Sequence, residues 1–156
     1  MSSAVFQYHW QTDPSTQFRA ALAQNAKIDL DLLLPGTLQG VSGDTRGALK
    51  SLTIVSIENL AWELWLWRSA TRKTLTAGVV SAGSNVIGRW SFAAADGIQD
   101  ISGDFIYYID GLDVPIVDDD KSGKLHLSLV NRSVATKTAN DGGAVQVLGR
   151  IAQPVY

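Results

Sequence analysis

Ile28-Asp29-Leu30-Asp31-Leu32-Leu33-Leu34 alternates apolar and acidic residues with a period of two and stops at Pro35-Gly36. In an extended chain, that spacing puts leucines on one face and aspartates on the other, so the run reads as a half-buried strand. The remaining chain repeats the pattern. Leu49 to Ile57, Leu60 to Arg68, Leu75 to Ser81, Val86 to Phe92, Asp104 to Ile109, Lys124 to Val130 and Ala144 to Ile151 are apolar or β-branched runs. Turn residues separate them: Ala82-Gly83-Ser84-Asn85, Asp96-Gly97, Asp110-Gly111, Lys121-Ser122-Gly123 and Asn140-Asp141-Gly142-Gly143. Residues 36–48 carry four glycines and read as a loop. Strands and turns at this interval predict an all-β chain. The expected fold is an antiparallel, jelly-roll-like β-sandwich of about eight strands.

Two segments stand outside this pattern. Asp13-Pro14 offers a cap and a first-turn proline, and Phe18, Ala21 and Leu22 follow at helical spacing, which predicts one short helix near 14–25. Residues 1–12 hold Phe6, Tyr8 and Trp10 in alternation with Gln7 and His9. They read either as a first strand over the domain's own core or as an arm on a neighbouring subunit. The division taken is an N-terminal arm over 1–12 and a single sandwich domain over 13–156.

Composition supports the β reading. The 156 residues include 14 glycines, and 13 of the 15 acidic residues are Asp, which favours turns and caps where Glu favours helix interiors. Charged residues make up 18% against 46% hydrophobic, which suggests that some apolar surface meets a partner. No apolar run approaches the roughly 18 residues a membrane-spanning helix needs. The basic residues are scattered, with only Arg72-Lys73 adjacent, so no basic stripe for nucleic acid is visible. Met1 to Trp10 lack a basic segment followed by an apolar one, and Sec-type export is not expected. Without such a leader, Asn131-Arg132-Ser133 reads as a chance match to the glycosylation pattern.

Motifs that carry chemistry are few. There is no cysteine, which excludes disulfides, thiolate catalysis and Cys-rich zinc sites. The two histidines, His9 and His126, lie in segments expected to be far apart. His126 shares a strand face with Lys124, Ser128 and Val130, where a solvated or interface histidine is the expectation. Gly40-Val41-Ser42-Gly43-Asp44 misses the last glycine of a nucleophile elbow, and no phosphate loop occurs. A Ser/His/Asp triad has no sequence signal, although one could assemble in space. Asp118, Asp120 and Ser122, with Gly123, match the first half of a calcium loop, but Leu129 stands where the bidentate Glu belongs. An acidic hairpin tip is the simpler reading, with a weak calcium site as the alternative. No catalytic residue and no cofactor are expected.

The tryptophans stand out most. In Leu60-Ala61-Trp62-Glu63-Leu64-Trp65-Leu66-Trp67, alternation puts Leu60, Trp62, Leu64 and Leu66 on one face and Glu63, Trp65 and Trp67 on the other. If the first face fills the core, the second carries two large aromatics that need cover. The expected interface residues are therefore Phe6, Tyr8, Trp10, Trp65 and Trp67. Cover from within the chain, or a sugar-stacking platform, are the other two readings of the Trp65/Trp67 face.

Phe105-Ile106-Tyr107-Tyr108-Ile109-Asp110-Gly111-Leu112, Leu125-His126-Leu127-Ser128-Leu129-Val130-Asn131-Arg132-Ser133, Lys137-Thr138-Ala139 and Gly142-Gly143-Ala144-Val145 carry a further likeness. Through them Gly103 to Ile151, about a third of the chain, resembles small structural proteins of tailed-bacteriophage virions. The likeness is to capsid decoration (cement) proteins and other β-sandwich virion proteins. It implies a symmetric oligomer bound to a capsid shell, with no catalytic residues to carry over. The expected function is thus a non-enzymatic bacteriophage virion structural protein, a decoration protein made in the host cytoplasm and located in the virion. Its expected partners are the major capsid protein and its own copies, as a homo-oligomer with a trimer favoured, and neither nucleic acid nor membrane. The alternative is a carbohydrate-binding, lectin-like module of a host-recognition apparatus.

Overall fold

The computed structural model describes residues 4–11, 21–34, 47–72, 74–75, 79–80, 85–116, 122–137 and 145–155. Eight strands of five or more residues lie among them: β1 (Ala4–Gln11), β2 (Lys27–Leu33), β3 (Ala48–Ser56), β4 (Trp62–Trp67), β7 (Val86–Phe92), β9 (Phe105–Ile109), β11 (Lys124–Asn131) and β12 (Gln146–Val155). Four two-residue strands complete the chain order: β5 (Thr74–Leu75), β6 (Val79–Val80), β8 (Ile98–Gln99) and β10 (Val114–Pro115). Every pairing is antiparallel.

The strands form two main sheets. One runs β1-β12-β3-β9-β8 with β10 also on β3, and the other runs β2-β11-β4-β7. Among the eight long strands the first pairs with the eighth, the second with the seventh, the third with the sixth and the fourth with the fifth. Two further pairings, β12 with β3 and β11 with β4, close the sheets. This is the winding of a long hairpin rolled into a sandwich, the order that defines a jelly roll. The expected fold class holds.

The core lies between the sheets, and the leucine faces read from the sequence fill it. Leu30 and Leu32 of β2, Leu125, Leu127 and Leu129 of β11, and Trp62, Leu64 and Leu66 of β4 meet Leu49, Leu52, Ile54, Tyr107, Val147 and Ile151 of the larger sheet. Each fully buried side chain of this size contributes about 1.5–3 kcal/mol relative to exposure. On β3 a bulge changes the alternation. Arg150 pairs with Ser51 and Ile151 with Leu49, leaving Lys50 as the extra residue. Leu49 and Leu52, three apart, therefore both point inward. The carbonyl of Lys50 accepts the amide of Leu112 at 3.0 Å, so the displaced backbone is still bonded. Tyr107 adds a polar anchor inside the core. Its hydroxyl accepts the Leu60 amide at 2.9 Å and donates to Asn59 Oδ1 at 2.8 Å. A Cβ on Gly97 would stand 2.8 Å from Tyr107 Cζ, so this turn position needs glycine for close approach.

Three expectations differ from the structure. The helix near 14–25 falls partly on 14–20, outside the described residues. Its described end is not helical, because Leu22 forms an antiparallel bridge to Lys137 and Asn25 takes the left-handed conformation at φ 61°. Helical spacing over so few residues lost to backbone pairing with a distant segment. The arm expected over 1–12 is, over Ala4–Gln11, an edge strand paired residue for residue with β12 of its own sheet. That ladder satisfies backbone groups that a free arm would leave to water or to a partner. Of the strand expected over 75–81, residues 76–78 and 81 lie outside the described residues, and Leu75 pairs antiparallel with Val79 rather than continuing in one strand with it.

Candidate functional site

The outer face of the four-stranded sheet concentrates the polar and aromatic side chains. Lys27, Asp29 and Asp31 on β2 lie beside Val130, Ser128 and His126 on β11, and these lie beside Glu63, Trp65 and Trp67 on β4. The alternation read from sequence assigns eight of the nine to this face, all but Lys27, which precedes the run read as a strand. Their exposure is another matter. Trp65 and Trp67 are 0% and 1% exposed, in a small apolar cluster with Val130 and Val86.

This corrects the expectation that Trp65 and Trp67 are interface residues, because their own chain covers them. The indoles meet edge to face at 5.8 Å. The guanidinium groups of Arg89 and Arg132 lie 5.8 and 6.0 Å from the Trp65 ring, and Lys27 Nζ lies 6.0 Å from the Trp67 ring. Buried indoles of this kind leave no ring face for a sugar. The polar ends are also tied. Trp65 Nε1 donates to Glu63, and Trp67 Nε1 donates to Ser128 Oγ at 2.8 Å.

Two linked networks hold the cover down. Glu63 accepts from Arg89 Nε at 2.9 Å and from Arg132 Nε at 3.0 Å, and Arg132 Nη1 reaches Asn25 Oδ1 at 2.8 Å. Ser128 Oγ donates to Asp29 at 2.6 Å, Lys27 bonds the same carboxylate at 2.7 Å, and Arg72 crosses from the segment after β4 to Asp29 and Asp31. Burial alone would raise the pKa of Asp29, Asp31 and Glu63. The hydrogen bonds and cations around each outweigh it and hold all three below the ordinary carboxylate range.

At the end of this face, three residues that sequence reasoning did not join come together. His126 stands directly across from Asp31, with Nδ1 3.2 Å from Asp31 Oδ1. Its Nε2 lies 3.1 Å from Ser122 Oγ. The one available signal was the cross-strand register of two half-buried strands, which a single sequence does not reveal.

The opposite side of the sandwich carries apolar surface. Tyr107 points into the core, so its neighbours Ile106 and Tyr108 point outward. Val55, Ile106 and Ile98 form one row across β3, β9 and β8, and Tyr108 flanks it. Ile98 and Tyr108 are 74% and 54% exposed, and Ile101 in the adjoining turn is fully exposed.

The remaining expected residues fall as follows. Phe6, Tyr8 and Trp10 sit on β1 by backbone, and their side chains lie outside the described residues. Asp118 and Asp120 of the weak calcium candidate lie outside as well, while Ser122 bonds His126. Asn131 is fully buried, with Nδ2 bonded to the Leu22 and Ala135 carbonyls, which closes it to glycosylation.

No family model and no curated protein matches the chain. Among solved structures it is similar to VP1 of Trichodysplasia spinulosa-associated polyomavirus. In the complex with sialylated precision glycooligomers the TM-score is 0.24 at 10% identity, over 98% of this chain and 94% of that one. In the complex with GM1 oligosaccharide the TM-score is 0.20 at 11% identity, over 98% and 95%. The class defined by the chain's own strand order is the jelly-roll β-sandwich.

Proposed function

We propose that this chain is a virion structural protein, a decoration protein that binds the major capsid protein across neighbouring subunits of a bacteriophage shell. The observation that carries the reading is the exposed apolar strip of Ile98, Ile101 and Tyr108 on the outside of a jelly roll. Jelly rolls are a recurrent architecture of viral shells, and exposed apolar clusters mark contact sites. The sequence likeness of Gly103 to Ile151 to virion proteins supports the same role, and β9 of the strip lies inside that segment. The copies work as a homo-oligomer, with a trimer favoured, so that weak single contacts multiply across a symmetric lattice. The protein is made in the host cytoplasm and resides in the virion.

The test is co-sedimentation with particles stripped of the protein, comparing wild type with an Ile98→Asp, Ile101→Asp, Tyr108→Asp triple variant. All three side chains are exposed, so the variant keeps its fold. The expected result is particle binding by wild type and at least about tenfold weaker binding by the variant. Equal binding by both proteins, or none by wild type, overturns the proposal.

A further inference from the structure

Ser122, His126 and Asp31 satisfy the geometric requirements of an activated serine. Ser122 is exposed, at the turn that opens β11, and its Oγ lies 3.1 Å from His126 Nε2. His126 is buried, and its other ring nitrogen lies 3.2 Å from Asp31 Oδ1. A nucleophile at hydrogen-bond distance from a base, with the base oriented by a carboxylate, is the arrangement that acyl-transfer sites share across unrelated folds. Asp31 and His126 are a directly opposed cross-strand pair, so the base and its orienting group are set by sheet register rather than by loops. Two groups refine the site. The Lys124 amide donates to Ser122 Oγ at 3.2 Å, which helps to hold the oxygen beside Nε2. Arg72 bonds Asp31, helping to keep it ionised, and its Nη2, which can only donate, competes with Asp31 for His126 Nδ1 at 3.1 Å.

We propose that Ser122 is a base-activated nucleophile that attacks small carboxylic esters, with His126 as the base and Asp31 as its positioning residue. The reactive tautomer carries its proton on Nδ1, toward Asp31. The Ser122 hydroxyl proton passes to Nε2 as Oγ bonds to the ester carbonyl carbon. The carbon–oxygen bond to the leaving alkoxide then breaks, and the alkoxide takes the proton from Nε2. Water reverses the sequence: its proton goes to Nε2, its oxygen bonds to the acyl carbon, and Oγ leaves and is reprotonated. This activity goes beyond the structural role proposed above and uses the other sheet, so the two stand or fall separately.

The test is an alkyl fluorophosphonate, which traps an activated serine by forming an Oγ–P bond and expelling fluoride. Full-length protein is treated with the probe, and modified sites are mapped and timed by peptide mass. Ser102, exposed and bonded through its Oγ to Asp100, is the internal control. The expected result is labelling of Ser122 at least about 100-fold faster than of Ser102, the scale of general-base assistance. Ser122→Ala removes this label, and His126→Gln slows it to the Ser102 rate. Asp31→Asn also slows it, and Asp31→Glu recovers part of the loss. Labelling of Ser122 no faster than of Ser102 in the wild-type protein overturns the proposal. That outcome reports the opposite tautomer, in which Arg72 fills Nδ1 and Nε2 donates to Ser122. The comparison needs no variant to fold.

Discussion

Arg132 Nε donates to Glu63 Oε2 at 3.0 Å, fastening the segment that follows β11 to the outer face of β4. Glu63 is buried and is also the acceptor for Trp65 Nε1 and Arg89. Glu63→Gln keeps an acceptor for the indole but leaves two guanidinium groups against a neutral amide. The expected cost is about 1–3 kcal/mol, less than a fully buried pair would show because Arg89 is half exposed. Urea unfolding checks it, and an unchanged midpoint would mean that solvent already screens the pair.

Trp62, Trp65 and Trp67 are all buried in one chain, although on opposite faces of β4. Alanine at any of the three should cost about 3–5 kcal/mol of stability. Self-association of whatever folded protein remains should be unchanged by Trp65→Ala or Trp67→Ala. Calorimetry with light scattering separates the two effects. Loss of association with stability intact would restore the partner-facing reading of this face.

Acid should unfold the protein through the same surface. Asp29, Asp31 and Glu63 have folded pKa values below their ordinary ones, so the unfolded chain binds protons first as pH falls. Their contribution is complete above the unfolded carboxylate range, about 4, and is lost as pH drops through the folded values. The urea midpoint should hold from neutral pH down toward that range and fall below it. Combining Asp31→Asn with Glu63→Gln should flatten the fall. A midpoint that rises on acidification would contradict the sign.

Deleting residues 1–12 should destabilise the domain rather than merely free it from its particle. β1 is paired along its whole length with β12, and its removal turns β12 into a long open edge. The expected outcome is a loss of at least about 2 kcal/mol together with concentration-dependent aggregation. Sedimentation velocity of the truncated protein decides it, and a stable, monodisperse product would show that β1 is dispensable.

Much of the sandwich was legible because alternation fixes which face a side chain takes. Ile28 to Leu34, Leu60 to Trp67 and Lys124 to Val130 all show it, and each lies where its pattern predicts. What covers a face was not legible. Glu63 is closed by Arg89 and Arg132, and Asp31 by Arg72, partners 26, 69 and 41 residues away, and nothing local in the sequence marks them. The Ser122, His126 and Asp31 contact depends likewise on register between strands 95 residues apart. The exposed strip was missed for another reason. Ile98 and Ile101 flank a turn, where apolar residues break the alternation that made the other strands readable.

The pairing of β1 with β12 has a consequence for synthesis. β1 leaves the ribosome long before its partner β12 does. Every other long pairing nests inside that one, so loop closure must precede much of the sheet, and such non-local topologies fold slowly. An emerging chain cannot complete this sheet until β12 has emerged, and its leucine faces lack their full cover until then. Chains stalled before β12 emerges should therefore be chaperone-bound, and the folded sandwich should appear only once β12 is clear of the ribosome.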